Sequence, residues 1–137
     1  MAQAPNASAQ NASRPVSPHL QIWRWHVTML ASILHRGTGV ALTIGTIGLA
    51  GWLAALAAGP AVFAPIDALL HSLIGQLALY GLVAALGFHL LAGLRHLVLD
   101  AGLWFKKPSA NLSAWVAVSG LVIAPAALFV ALLMLQG

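Results

Sequence analysis

The chain has 137 residues, 61% hydrophobic and only 6% charged, with a formal net charge of +4. A soluble domain carries roughly 25% charged residues, so this composition excludes an ordinary soluble enzyme, as does the mean hydropathy of +0.92. With no Cys, a disulfide framework, a thiolate metal site and a redox dithiol are excluded as well.

Residues 1–13 are Ala, Asn, Gln and Ser with hardly anything else, and none is charged. They predict a disordered polar tail. Asn6-Ala7-Ser8 and Asn11-Ala12-Ser13 fit the glycosylation pattern, a chance match in such a composition. No positive segment opens the chain, so a secretory signal is not expected. A mitochondrial transit peptide needs several Arg, and the first is Arg14. Residues 14–28, with Trp23 and Trp25, predict an interfacial segment.

Three stretches then lack Asp, Glu, Lys and Arg: Gly37–Ile66, Ala68–Leu94 and Pro108–Gly137. About 20 apolar residues cross a hydrocarbon core of roughly 30 Å. Each stretch can cross once, and none can cross twice. Gly59-Pro60 and Pro65 break the first run, and Asp67 is placed to cap the next helix. Gly102, Lys106, Lys107 and Pro108 break the second. The fold class is therefore all-α, an integral membrane protein in lipid. Its three-helix transmembrane domain covers residues 29–137, with helices at about 29–58, 68–99 and 110–135.

Orientation follows from the six Lys and Arg. Arg14, Arg24 and Arg36 lie before or early in the first helix. Arg95, Lys106 and Lys107 lie at or after the end of the second. With three spans these share one side, the cytoplasm or a matrix. They form no basic face, so nucleic acid is not a partner. Trp23, Trp25, Trp104 and Phe105 flank the same boundary as an aromatic belt.

Two polar clusters lie below that boundary. The first helix holds Ser32, His35 and Arg36; the second holds His89, Arg95 and His96. Antiparallel helices bring both into the positive-side leaflet. His89 precedes Asp100 by eleven residues, about 16 Å along a helix, near the membrane midplane. His96 follows two turns later on the same face, and Gly93 leaves backbone bare where a large flat group could lie. Arg36 lies roughly 10 Å inside the hydrocarbon. Ser32 is one turn away on the same face.

A membrane histidine commonly bonds a neighbouring helix. Neutral imidazole also ligates haem iron with no buried charge. An Arg near a helix end commonly snorkels, but at this depth an acidic ligand is its natural partner. A Ser often bonds only its own backbone; beside Arg36 it becomes a candidate polar contact for a quinone carbonyl. His89 and His96 cannot grip one iron from opposite sides, because they share a face about 10 Å apart. A sixth ligand would come from His35 or from another chain. His19, His26 and His71 read as interfacial or solvated, and Asp67 with His71 as an i, i+4 pair without a chemical role.

Arg14-Pro15-Val16-Ser17-Pro18-His19-Leu20, Ser32-Ile33-Leu34-His35-Arg36-Gly37-Thr38-Gly39 and His89-x3-Gly93-Leu94-Arg95-His96-x3-Asp100 carry a resemblance. Together they resemble the cytochrome b subunit of succinate dehydrogenase, a membrane anchor of respiratory complex II. The likeness runs from Arg14 through nearly the whole chain. It implies that His89 is an axial ligand of haem b, with the other ligand on a second hydrophobic anchor subunit. It implies that Ser32 and Arg36 line a ubiquinone site. It places His35, Arg36 and His96 near the haem propionates. It implies an iron–sulfur subunit and a flavoprotein subunit docked on the positive side, so this chain is a non-autonomous part of succinate:quinone oxidoreductase. The expected location is a bacterial inner membrane, with the N-terminus cytoplasmic, rather than the mitochondrial one.

Three rivals remain at this level: a haem-free structural anchor, the matching subunit of a quinol–fumarate reductase, and a small transporter subunit. A transport path should cross the membrane, yet the outer leaflet has no charge beyond Asp67. The topology is testable with a reporter active only outside the cytoplasm. Fusions at Gly59 and Gly137 should give signal and a fusion at Lys106 none; signal at Lys106 would refute three spans.

Overall fold

The computed structural model describes residues 23–136. The expected tail 1–13, and the part of the interfacial segment before Trp23, lie outside these residues. Four helices follow one another: α1 (Val27–Ala58), α2 (Pro60–His71), α3 (Leu73–Asp100) and α4 (Lys107–Gln136). Among the described residues there is no strand. Helices α1, α3 and α4 are long and apolar enough to span a membrane.

α1 ends at Ala58 because Gly59 takes φ +101°, a conformation that L side chains rarely adopt. Pro60 then starts α2, where its missing N–H costs nothing. The chain between the first two spans is thus a 12-residue helix, too short to cross, where a simple turn was expected. Asp67 lies inside α2 and does not cap the next span. Ser72 does: its extended backbone breaks the helix, and its hydroxyl accepts from Gly75 N at 3.2 Å. Its proton goes to the Leu69 carbonyl at 2.6 Å. The second span therefore begins at Leu73, not at 68. Gly75 is needed there, since a Cβ would run into the Leu69 carbonyl. The expected Asp67–His71 pair forms at 3.5 Å on the exposed side of α2.

The three long helices run antiparallel in sequence. Along α1 and α3, His35 meets His96, Gly39 meets His89, and Gly45 faces Leu82. Along α3 and α4, Arg95 meets Ser113 and Gly87 meets Gly120. Every Lys and Arg among the described residues therefore falls toward one end, with Trp23, Trp25 and Trp104. Asp67 and His71 lie at the other.

Small residues set the packing. Ala31, Ala92, Ala114 and Ala117 surround Phe88, which is 0% exposed. Without a hydrophobic drive between helices in lipid, close backbone approach and dispersion hold them together. α3 and α4 touch at Gly87 and Gly120: a Cβ on either would sit 2.7 Å from the other's carbonyl oxygen. Large apolar side chains point outward instead, among them Val40, Ile44, Ile47, Leu73 and Ile74. Such a surface suits lipid and not water.

The crossing can be tested by contrast. Gly120→Ala forces a methyl into the Gly87 carbonyl and should cost about 1–3 kcal/mol, read as a lower thermal midpoint in detergent. Gly81→Ala adds a methyl in open space and should cause no loss.

Candidate functional site

Ala31, His35 and Thr38 recur at i, i+4 and i+7, so one stripe of α1 carries all three. Ala31 is buried, and the two polar residues are half-buried. On α3, Phe88 is locked into the core. One residue on, His89 is turned by about 100°, onto the α1 stripe.

The His89 ring lies against α1 where Gly39 makes room. A Cβ at Gly39 would stand 3.3 Å from His89 Cε1. Thr38 Oγ1 lies 3.2 Å from His89 Nδ1. The same hydroxyl reaches the Leu34 carbonyl at 2.8 Å and the His35 carbonyl at 3.1 Å. His35 stacks on His89 with ring centroids 4.1 Å apart and planes 17° from parallel. His96 lies one step further, 5.1 Å from His35. The two helices thus bring His35, His89 and His96 together.

These residues fit one half of a haem site. His89 has Nδ1 engaged, leaving Nε2 as the nitrogen that can ligate. Buried His35 Nε2 has no hydrogen-bond partner among the described residues, so it is available to a polar group such as a propionate. Gly93, one turn from His89, faces open space: a Cβ there would meet nothing within 4 Å. A single axial ligand needs no metal-binding cluster of three residues, and none occurs among the described residues. The stacked rings do not fit both halves. A macrocycle cannot pass between rings face to face at 4.1 Å, so His35 and His89 as arranged are not opposite axial ligands.

Ser32 and Arg36 occupy the neighbouring stripe of α1. Ser32 is half-buried and Arg36 is exposed. Arg36 is in no ion pair among the described residues. Arg95 has a different fate: its Nε donates to Ser113 Oγ at 3.0 Å, and Ser113 donates to the Ala110 carbonyl. It ties α3 to α4. An open groove of about 300 Å3 lies near the start of α1, lined by Trp25, His26, Val27, Leu30 and Trp115. It is apolar and away from the histidines.

Thr38, Gly39 and Ser113 carry contacts that their residue types alone do not announce. The available signal was spacing. Thr38 stands three residues after His35, and Ser113 interrupts an apolar run.

Comparison with known proteins matches residues 10–131 to the family model of the succinate dehydrogenase/fumarate reductase transmembrane subunit. The chain is 39% identical over 117 residues to a succinate dehydrogenase cytochrome b556 subunit of Paracoccus denitrificans, covering 85% of this chain and 90% of that relative. It is 42% identical over 96 residues to a mitochondrial cytochrome b560 subunit of Sus scrofa, covering 66% of this chain and 55% of that one. A Rickettsia felis cytochrome b556 subunit is 34% identical over 109 residues, 77% of this chain and 82% of its own length.

Proposed function

The chain belongs to the succinate dehydrogenase/fumarate reductase transmembrane subunit family, and on that premise we propose that it is a membrane anchor that helps bind haem b and ubiquinone in a succinate dehydrogenase. The observation that carries this reading is the apposition of His89 with His35 and His96, with Ser32 and Arg36 on the adjoining stripe. The relatives' names speak of cytochromes b556 and b560. A cytochrome b needs an axial ligand, and His89 is the histidine nearest the middle of its span.

The chain supplies one ligand. The second would come from a partner anchor chain, since His35 stacks on His89. His35, His96 and Arg36 would hold the haem propionates. When bound, haem would supply a one-electron store. Ser32 donates a neutral hydrogen bond to a quinone carbonyl. The Arg36 guanidinium stabilises negative charge as that oxygen is reduced, a fixed electrostatic role. The quinone takes two electrons, from an iron–sulfur subunit on the positive side, and two protons from the nearby water. Succinate oxidation itself belongs to a flavoprotein subunit. An exposed Arg below the membrane surface is costly without a partner, and so supports a ligand or second chain on this face. The positive end faces the cytoplasm of a bacterial cell.

Two experiments test this. Expressed alone, the chain should give no full six-coordinate b-type spectrum; with its partner anchor it should. Such a spectrum from the chain alone would refute shared ligation. In the assembled complex, His89→Leu should remove or weaken the haem spectrum. Ser32→Ala should keep the haem and lower quinone reduction, by the worth of a hydrogen bond of about 0.5–1.5 kcal/mol. Arg36→Leu should cost more, about 1.5–3 kcal/mol. Succinate oxidation with a soluble dye should survive Ser32→Ala. If quinone reduction is untouched in both variants, the quinone assignment is wrong.

A further inference from the structure

We propose that Thr38 is a positioning residue that fixes which nitrogen of His89 carries the proton, and so presents Nε2 as a lone-pair donor. The proposal rests on His89 as the haem ligand and adds what prepares it.

The proton count decides the matter. A threonine hydroxyl has one proton and two lone pairs. Thr38 Oγ1 has three neighbours: the carbonyls of Leu34 at 2.8 Å and His35 at 3.1 Å, and His89 Nδ1 at 3.2 Å. The carbonyls can only accept. If the hydroxyl gave its proton to Nδ1, two carbonyl oxygens would face a bare oxygen lone pair at short range. The shortest contact is to Leu34, so the proton goes there. Oγ1 must then accept, and Nδ1 must carry hydrogen. In a neutral imidazole this leaves Nε2 unprotonated, the form that binds metal. An Nδ1–H bond to an oxygen also orients the ring and makes it a better donor to iron.

Two features show that the contact is built in. Gly39 removes the Cβ that would press on His89 Cε1 at 3.3 Å. Thr38 is held by its own helix carbonyls, so its hydroxyl points toward α3 before any ligand arrives.

The test uses the assembled complex with four variants. Thr38→Val keeps the shape and removes the hydroxyl. Thr38→Ser keeps the hydroxyl and removes a methyl. Haem content, the g-values of the oxidised low-spin haem and its reduction potential are read for each, with His89→Leu as control. Thr38→Val should lower haem affinity by roughly 10-fold, change the g-values and raise the potential, because a weaker donor stabilises ferric iron less. Thr38→Ser should stay near wild type. Gly39→Ala should move the g-values in the direction of Thr38→Val. Haem lost in His89→Leu but unchanged in content, g-values and potential in Thr38→Val would overturn the proposal and leave His89 as ligand. Equal damage in Thr38→Val and Thr38→Ser would show a packing role and also overturn it. Haem retained with unchanged g-values in His89→Leu would remove the ligand reading, and the proposal with it.

Discussion

In hydrocarbon a polar side chain has no water to fall back on, so each one must find its partner inside the protein. The contact between α1 and α3 shows how this chain meets the requirement. One Thr38 hydroxyl reaches both a carbonyl of its own helix and His89 Nδ1. That works only if the helices come close. α1 provides the closeness with Gly39 under the His89 ring and Gly45 under Leu82. α4 does the same on the other side of α3, where Gly120 meets Gly87. The rotation of α3 follows, with Phe88 in the core and His89 on α1.

The bundle is nonetheless incomplete as a polar system. Among the described residues His35 Nε2 is buried without a partner, and leaving a buried polar group unpaired costs about 1–3 kcal/mol. Arg36 projects outward from the polar end of α1. Few side chains are buried, and they are mostly alanines. A fold with so small a core gains little from its own packing. A prosthetic group and a second chain that satisfied His35 and Arg36 would stabilise the anchor as well as equip it.

The three spans were legible because charge-free apolar runs of sufficient length have one reading in a bilayer. That the two polar clusters lie in one leaflet and can face each other was legible too, from antiparallel order and depth; the stacking of His35 on His89 was not. α2 was not. Gly59-Pro60 reads equally as a turn or as a helix start, since proline suits the first helical position. Asp67 and Ser72 are both good caps; the choice falls to Ser72, where Gly75 lets the backbone fold back against Leu69. Thr38 was hidden for a different reason. A threonine in a helix ordinarily bonds its own backbone, and Thr38 does so. Its second role depends on a residue 51 positions away, through helix rotation that local spacing does not encode.

One residue of offset separates the two proposed functions. Successive residues on a helix are about 100° apart. His35 and Thr38 therefore face α3, while Ser32 and Arg36 sit one position round and leave the interface. His35 and Thr38 contact His89 on a neighbouring helix of the same chain. The proposed quinone contacts, Ser32 and Arg36, lie on a stripe where Arg36 is exposed. A ligand that must stay needs a preformed, oriented donor. A substrate that must exchange needs access with a few fixed polar groups. On the proposed assignment one helix would serve both demands within two turns, because His35 and Thr38 contact α3 while Arg36 on the next stripe is exposed.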